Sequence, residues 1–123
     1  MIVAHRQENH ELVRERVSAI IGEGNLHRAF EDKDGYCFEI KDSATTFGIL
    51  EQLKTEPDLS FAYFIDITGA DYSTYPDPAP DRFAVIYTLL SPDLGVRIQL
   101  TAFLPEENPS IRTAVPLYAG ADW

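Results

Sequence analysis

Two long β-type runs, RFAVIYTLLS from Arg82 and GVRIQLTAFL from Gly95, are joined only by the turn SPDLG. The second run alternates Val96, Ile98 and Leu100 against Arg97, Gln99 and Thr101, which gives one buried face and one wet face. A sheet of this kind needs apolar cover on one side only, and that requirement fixes the architecture more than any other feature. The stretch LSFAYFIDITGAD supplies a third strand, in which Phe61, Tyr63, Ile65 and Ile67 alternate with Ala62, Phe64, Asp66 and Thr68. Between it and the hairpin lies YSTYPDPAPD, residues 72–81, whose three prolines mark an exposed loop.

Helices that can cover the sheet are legible upstream. Leu12, Val13, Val17, Ile20 and Ile21 recur at helical spacing, which predicts an amphipathic helix over Glu8 to Ile21, stopped by Gly22 and Gly24. Leu26, Arg28 and Phe30, then Tyr36, Phe38 and Ile40, form two alternating runs around the turn signal at Asp32 to Gly35, a β-hairpin. Asp42 or Ser43 is placed to cap a second helix running to Lys54, with Phe47, Leu50 and Leu53 inward and Pro57 closing the segment. Ser110 is a candidate cap for a short helix from Ile111, interrupted by Pro116. The expected fold is therefore a single α+β domain over residues 1–123: a two-layer sandwich of order α-β-β-α-β-β-β, mostly antiparallel, with the helices on one face.

Composition narrows the functions. Twenty acidic residues against ten basic ones give a net charge of −10, which opposes binding to nucleic acid and to anionic lipid. No apolar run approaches the roughly 20 residues that span a bilayer. The start MIVAHRQENHEL has no apolar core of a leader, so a cytosolic or cytosol-facing protein is expected. His5, His10 and His27 do not fall at metal-ligand spacing, and the single Cys37 adds one ligand at most, so surface histidines and no metal are expected. Cys37 alternates with Tyr36 and Phe38 and reads as a small buried residue, with no histidine evident beside it to activate it. Gly22-Glu23-Gly24 follows a helix, which makes it a helix stop and no phosphate loop.

Asp66 and Asp71 are the candidates for acid/base work. Asp66 sits within an apolar strand, where a carboxylate needs a partner. The preferred reading pairs it with Arg82 or Arg97 on a neighbouring strand, and Asp71 is read as a turn-capping residue. A small stand-alone enzyme using either carboxylate is kept as an alternative.

Three stretches in order carry a family likeness. FIDITGADY is similar to Asp-Leu-Thr-Ala-Val-Asp-Tyr; DRFAVIYTLLS is similar to Arg-Phe-x-Val-Val-Tyr-x-Leu-Leu-Ser; PSIRTAVPLYAGADW is similar to Pro-Ser-Val-x-x-Leu-Trp-Pro-Gly-Ala-Asp-Trp. Tyr87, Leu89 and Leu90 keep the second pattern, whereas Tyr118 stands where tryptophan is common and Ala119 where proline is frequent. From Leu59 to Trp123 the chain resembles the thirty-kilodalton subunit of the proton-pumping NADH:quinone oxidoreductase, respiratory complex I.

That resemblance implies a non-catalytic scaffold of the peripheral arm, packed against the large quinone-site subunit, on the cytoplasmic side of the membrane. It implies no cofactor in this chain, with flavin and iron–sulfur clusters in partner subunits. A related scaffold of membrane-bound nickel–iron hydrogenase or formate hydrogenlyase is the alternative. Candidate partner contacts are Asp71 and Tyr72 in the loop, Arg97 and Gln99 on the wet face, and Leu117, Tyr118, Gly120, Asp122 and Trp123 in the tail. For Leu117, Tyr118 and Trp123, packing on the domain's own edge is the equal alternative. The family pattern continues past Gly-Ala-Asp-Trp with a Glu-Arg-Glu-x-x-Asp-Leu-Phe-Gly-Ile stretch. Trp123 is accordingly expected to be an artificial boundary or the end of a short or split subunit, poorly anchored in the isolated domain.

Overall fold

The computed structural model describes residues 2–33, 35–74 and 79–118, with side chains from Asn9 onward. Helix α1 spans Ile2–Ile21, strands β1 and β2 span Leu26–Asp32 and Gly35–Ile40, and α2 spans Thr46–Thr55 after a 3-10 turn at Ser43–Thr45. Strands β3, β4 and β5 follow at Tyr63–Asp71, Phe83–Ser91 and Val96–Leu104. The strands form one sheet in the order β1-β2-β5-β4-β3.

The sheet is mixed, which corrects part of the expected topology. Three pairings are antiparallel, but β2 lies parallel to β5, with Phe38 opposite Leu100 and Glu39 opposite Thr101. Local patterns identify a hairpin (β1–β2) and a meander (β3–β4–β5). How the two units meet is a non-local choice that neither pattern encodes.

One face of the sheet carries the core. Phe38 and Ile40 on β2, Val85, Tyr87 and Leu89 on β4, and Val96, Ile98 and Leu100 on β5 are all buried beneath the helices. Helix α1 presents Val13, Val17 and Ile21 at i, i+4 and i+8. It begins at Ile2, six residues before the predicted start, because nothing in VAHRQENHE breaks a helix. Asn9 Nδ2 donates to the Leu94 carbonyl at 2.9 Å and ties the helix to the β4–β5 turn. Gly22, at φ +93, ends it by turning the chain through the left-handed region.

Helix α2 is entered through Asp42, whose carboxylate accepts from the Ala44 N–H at 3.1 Å. Its buried stripe is Thr46, Ile49, Leu50 and Leu53. Ile49 therefore takes the place expected for Phe47. Phe47 sits at the stripe's margin, half-buried, with the Arg112 guanidinium 3.5 Å from its ring centroid. After α2 the chain tucks Leu59 and Phe61 fully into the core, each contributing about 1.5–3 kcal/mol by burial.

Strand β3 departs from simple alternation. A register shift between Phe64 and Asp66 makes Ile65 an extra residue, a β-bulge. Phe64 and Ile67 consequently pack on the core, while Tyr63 and Ile65 are 58% and 43% exposed. The segment from Ser110 forms no helix. It runs extended to a turn at Ala114, whose carbonyl accepts from the Leu117 and Tyr118 N–H groups at 2.9 Å each. Pro116 has no N–H to give to a helix.

Gly35 marks the closest approach of the two halves of the sheet. Its φ is +131, and a Cβ there would collide with the Arg97 carbonyl oxygen. Gly35→Ala is expected to lower the unfolding free energy by more than about 2 kcal/mol in urea titrations. Gly95→Ala, at φ +67 with open space around it, should cost about 1 kcal/mol by the same measurement.

Candidate partner interface

Because residues directly opposite in a sheet share a face, the register defines the surface turned away from the helices. One cross-strand row is Arg97, Leu90 and Tyr63. The next is Phe30, Cys37, Gln99, Thr88 and Asp66. A third is Arg28, Glu39, Thr101, Ile86 and Thr68, and Phe103, Ala84 and Ala70 complete the far end.

The two ends of this face differ. At the far end Tyr72 lies over Phe103, ring centroids 5.3 Å apart, and His27 meets the same ring edge-on at 6.3 Å. Phe103 is buried as a result. The Tyr72 N–H donates to the Arg82 carbonyl at 2.6 Å, which closes the base of the proline-rich loop. At the near end Tyr63 and Arg97 are exposed, and Leu90, Thr88 and Gln99 are half-buried.

Polar groups on this face are mostly satisfied within the chain. Glu39 is buried and accepts from Arg28 Nε at 2.8 Å, with His27 Nε2 at 3.8 Å. Such a buried carboxylate requires its cation, because desolvation without a partner is costly. Arg28 also lies 4.5 Å from the centroid of the Phe30 ring. Cys37 Sγ is 3.5 Å from both Asp32 Oδ2 and Gln99 Oε1. Burial, then the neighbouring Asp32 and Glu39 charges, pushes the thiol from 9.0 up to about 12. At neutral pH it is a protonated and unreactive group.

The carboxylates singled out by sequence are held differently from expectation. Asp66 pairs with neither Arg82 nor Arg97. It accepts from the Ile67 N–H at 2.9 Å and from Thr68 Oγ1 at 3.4 Å, beside the bulge that shifts its register. Arg82 instead binds Asp71 through two contacts of 3.1 and 3.2 Å and reaches Glu106 at 3.2 Å. Asp71 also caps the loop by accepting from the Ser73 N–H at 2.9 Å. The Arg82 hydrogen bonds, aided by Ser73, hold the Asp71 carboxyl down at about 2. Asp71 is thus ionised at neutral pH and a weak base, a poor acid/base catalyst. Arg97 makes no ion pair or side-chain hydrogen bond among the described residues.

Of the tail, Leu117 and Tyr118 pack on this domain itself. Tyr118 is buried, its hydroxyl donating to the Phe61 carbonyl at 2.6 Å and its ring 5.8 Å from that of Phe64. Lys54 lies 5.4 Å from the Tyr118 ring centroid and donates to the Leu117 carbonyl. Gly120, Asp122 and Trp123 lie outside the described residues. Sequence reasoning missed Tyr63, Ile65 and Phe30 as exposed apolar groups. Their alternation is that of buried strand residues, and only edge position and the bulge expose them.

Tyr118→Phe removes the donor to a buried carbonyl and should cost about 1–3 kcal/mol, read from urea unfolding. For Cys37 the folded value lies above the unfolded one, so its contribution is complete below about pH 9 and falls as pH rises toward 12. The stability difference between the wild type and Cys37→Ala should shrink between about pH 8 and pH 10.5, and alkylation of Cys37 at about pH 7 should proceed only after unfolding.

The family model of the 30 kDa subunit of the respiratory-chain NADH dehydrogenase matches residues 40–123. NADH-quinone oxidoreductase subunit 5 of Thermus thermophilus is 37% identical over 78 residues, covering 59% of this chain and 38% of the relative. The corresponding NADH-quinone oxidoreductase subunit of Leptothrix cholodnii is 32% identical over 111 residues, covering 87% of this chain and 54% of the relative. The chain thus spans about half or less of the length of these relatives. In three dimensions it is similar to the trypsin-resistant fragment (1-134) of Nqo5, with a TM-score of 0.65, 29% identity and coverage of 92% of this chain and 83% of that one. With the family pattern running from the end of β2 through all three later strands, the chain belongs to the family of the 30 kDa subunit of the respiratory-chain NADH dehydrogenase.

Proposed function

We propose that this chain is a non-catalytic scaffold in the peripheral arm of an NADH:quinone oxidoreductase, docked on the large subunit that forms the quinone site. In this reading electrons pass through flavin and iron–sulfur clusters of partner subunits, and this chain holds no redox group of its own. It acts by placing its neighbours, on the cytoplasmic side of the membrane, and thereby supports electron transfer coupled to proton translocation. No helix among the described residues is long and apolar enough to cross a membrane, in keeping with a peripheral attachment.

The observation that carries the reading, beside the family membership, is the asymmetry of the sheet. Helices cover one face, whereas the near end of the other presents Tyr63, half-buried Leu90 and Thr88, and the Arg97 guanidinium. Aromatic and arginine side chains concentrated on a surface are what protein interfaces use.

The reading is tested by purifying the tagged chain from its own cells in mild detergent. Stoichiometric recovery of the quinone-site subunit together with the NADH-oxidising subunits is expected. Recovery with a nickel–iron hydrogenase set, or recovery of the chain alone, would overturn it.

A further inference from the structure

We infer that the partner seats on the helix-free face through a carboxylate delivered to Arg97, and that it does not add a strand to the free edge of β3. This rests on the scaffold reading above and names the chemistry of its contact.

The edge is the more obvious route, since β3 borders the sheet and exposes Tyr63 and Ile65. Strand addition needs a run of regular, free backbone groups. Here the bulge at Ile65 breaks the run, and the Asp66 carboxylate takes the Ile67 N–H at 2.9 Å. Just past the far end of the strand, the Asp71 carboxylate takes the Ser73 N–H in a similar way. Bulges and charged side chains at an edge are the devices by which sheets refuse a new strand.

The face offers the opposite situation. Arg16, Arg28 and Arg82 are each matched to carboxylates of this chain, and Arg112 lies on Phe47. Arg97 stands in a row with Leu90 and the 58% exposed Tyr63, with Gln99 two positions along its own strand. In a chain whose acidic residues outnumber its basic ones two to one, this guanidinium has no carboxylate among the described residues. An arginine flanked by an aromatic and an aliphatic side chain is suited to a bidentate carboxylate arriving with apolar neighbours that exclude water. A second copy of the chain is a poor candidate, because two bodies of charge −10 repel one another.

The test is a titration of the folded chain onto the purified quinone-site subunit, repeated at low and high salt. Arg97→Glu should weaken binding roughly thirtyfold or more, since it opposes like charges at the contact. Arg97→Lys should retain the charge, lose the fork and weaken binding several-fold. Arg14→Glu, an equal charge reversal on exposed α1, should leave the affinity within about twofold. Unchanged circular dichroism and urea midpoints for each variant exclude misfolding as the cause. Binding unaffected by Arg97→Glu would overturn the inference while leaving the scaffold reading intact. Equal losses for Arg97→Glu and Arg14→Glu would also overturn it, by showing that net charge alone acts. Wild-type dimers in sedimentation that Arg97→Glu dissolves would assign the face to a second copy instead. If the wild type does not bind the quinone-site subunit at all, the scaffold reading fails and this inference with it.

Discussion

The pairing of β2 with β5 is the constraint on which the domain depends. On one side of this seam stands the β1–β2 hairpin, on the other the β3–β4–β5 meander, and no other strand pairing among the described residues joins them. Phe38 opposite Leu100 and Tyr36 opposite Ile98 form the middle of the core beneath α1 and α2. The approach is so close at Gly35 that only a residue without a side chain fits against the Arg97 carbonyl. A hairpin displaced by one residue would turn Tyr36, Phe38 and Ile40 to the wet face and Cys37 and Glu39 into the core. The seam thus fixes the register of the whole sheet, and with it which residues reach each surface.

That register explains how one layer of strands can serve two purposes. The helix-covered face supplies stability through aliphatic and aromatic burial. The other face satisfies its buried polar atoms locally, through Arg28 with Glu39, and shields Phe103 under Tyr72 and His27. Stability is therefore independent of whatever covers Tyr63 and Arg97. A scaffold built this way folds first and associates afterwards, with little reorganisation at the contact.

Much of the fold was readable from periodicity. The order of helices and strands, the wet residues Arg97 and Gln99, and the turn at Asp32 to Gly35 all follow from short local patterns in the sequence. The bulge in β3 did not follow, because one inserted residue looks like continued alternation until its partner strand is in view. The same holds for Ile49 over Phe47, where Arg112 from the C-terminal segment decides which side chain is left at the margin. Alternation left Asp66 with two arginines in reach, Arg82 and Arg97. Geometry gave Arg82 to Asp71 and Glu106, and the shifted register turned Asp66 to its own backbone. The candidate interface was half legible: Arg97 and Gln99 are where alternation places them. The tail residues Leu117 and Tyr118 pack inward, held by the Phe61 carbonyl and by Lys54 of α2.

The parallel seam also sets the timing of folding. Its partners are far apart in the chain, as Cys37 and Gln99 are at a separation of 62. Closing so long a loop is entropically slow compared with forming either hairpin. During synthesis the β1–β2 hairpin emerges well before β5 exists, and β2 therefore waits with Tyr36, Phe38 and Ile40 uncovered on one edge. The interval ends only when Leu104, the last residue of β5, has left the ribosome. The chain's excess of negative charge keeps those waiting hairpins apart, which gives its acidity a use in the nascent protein that the finished fold no longer needs.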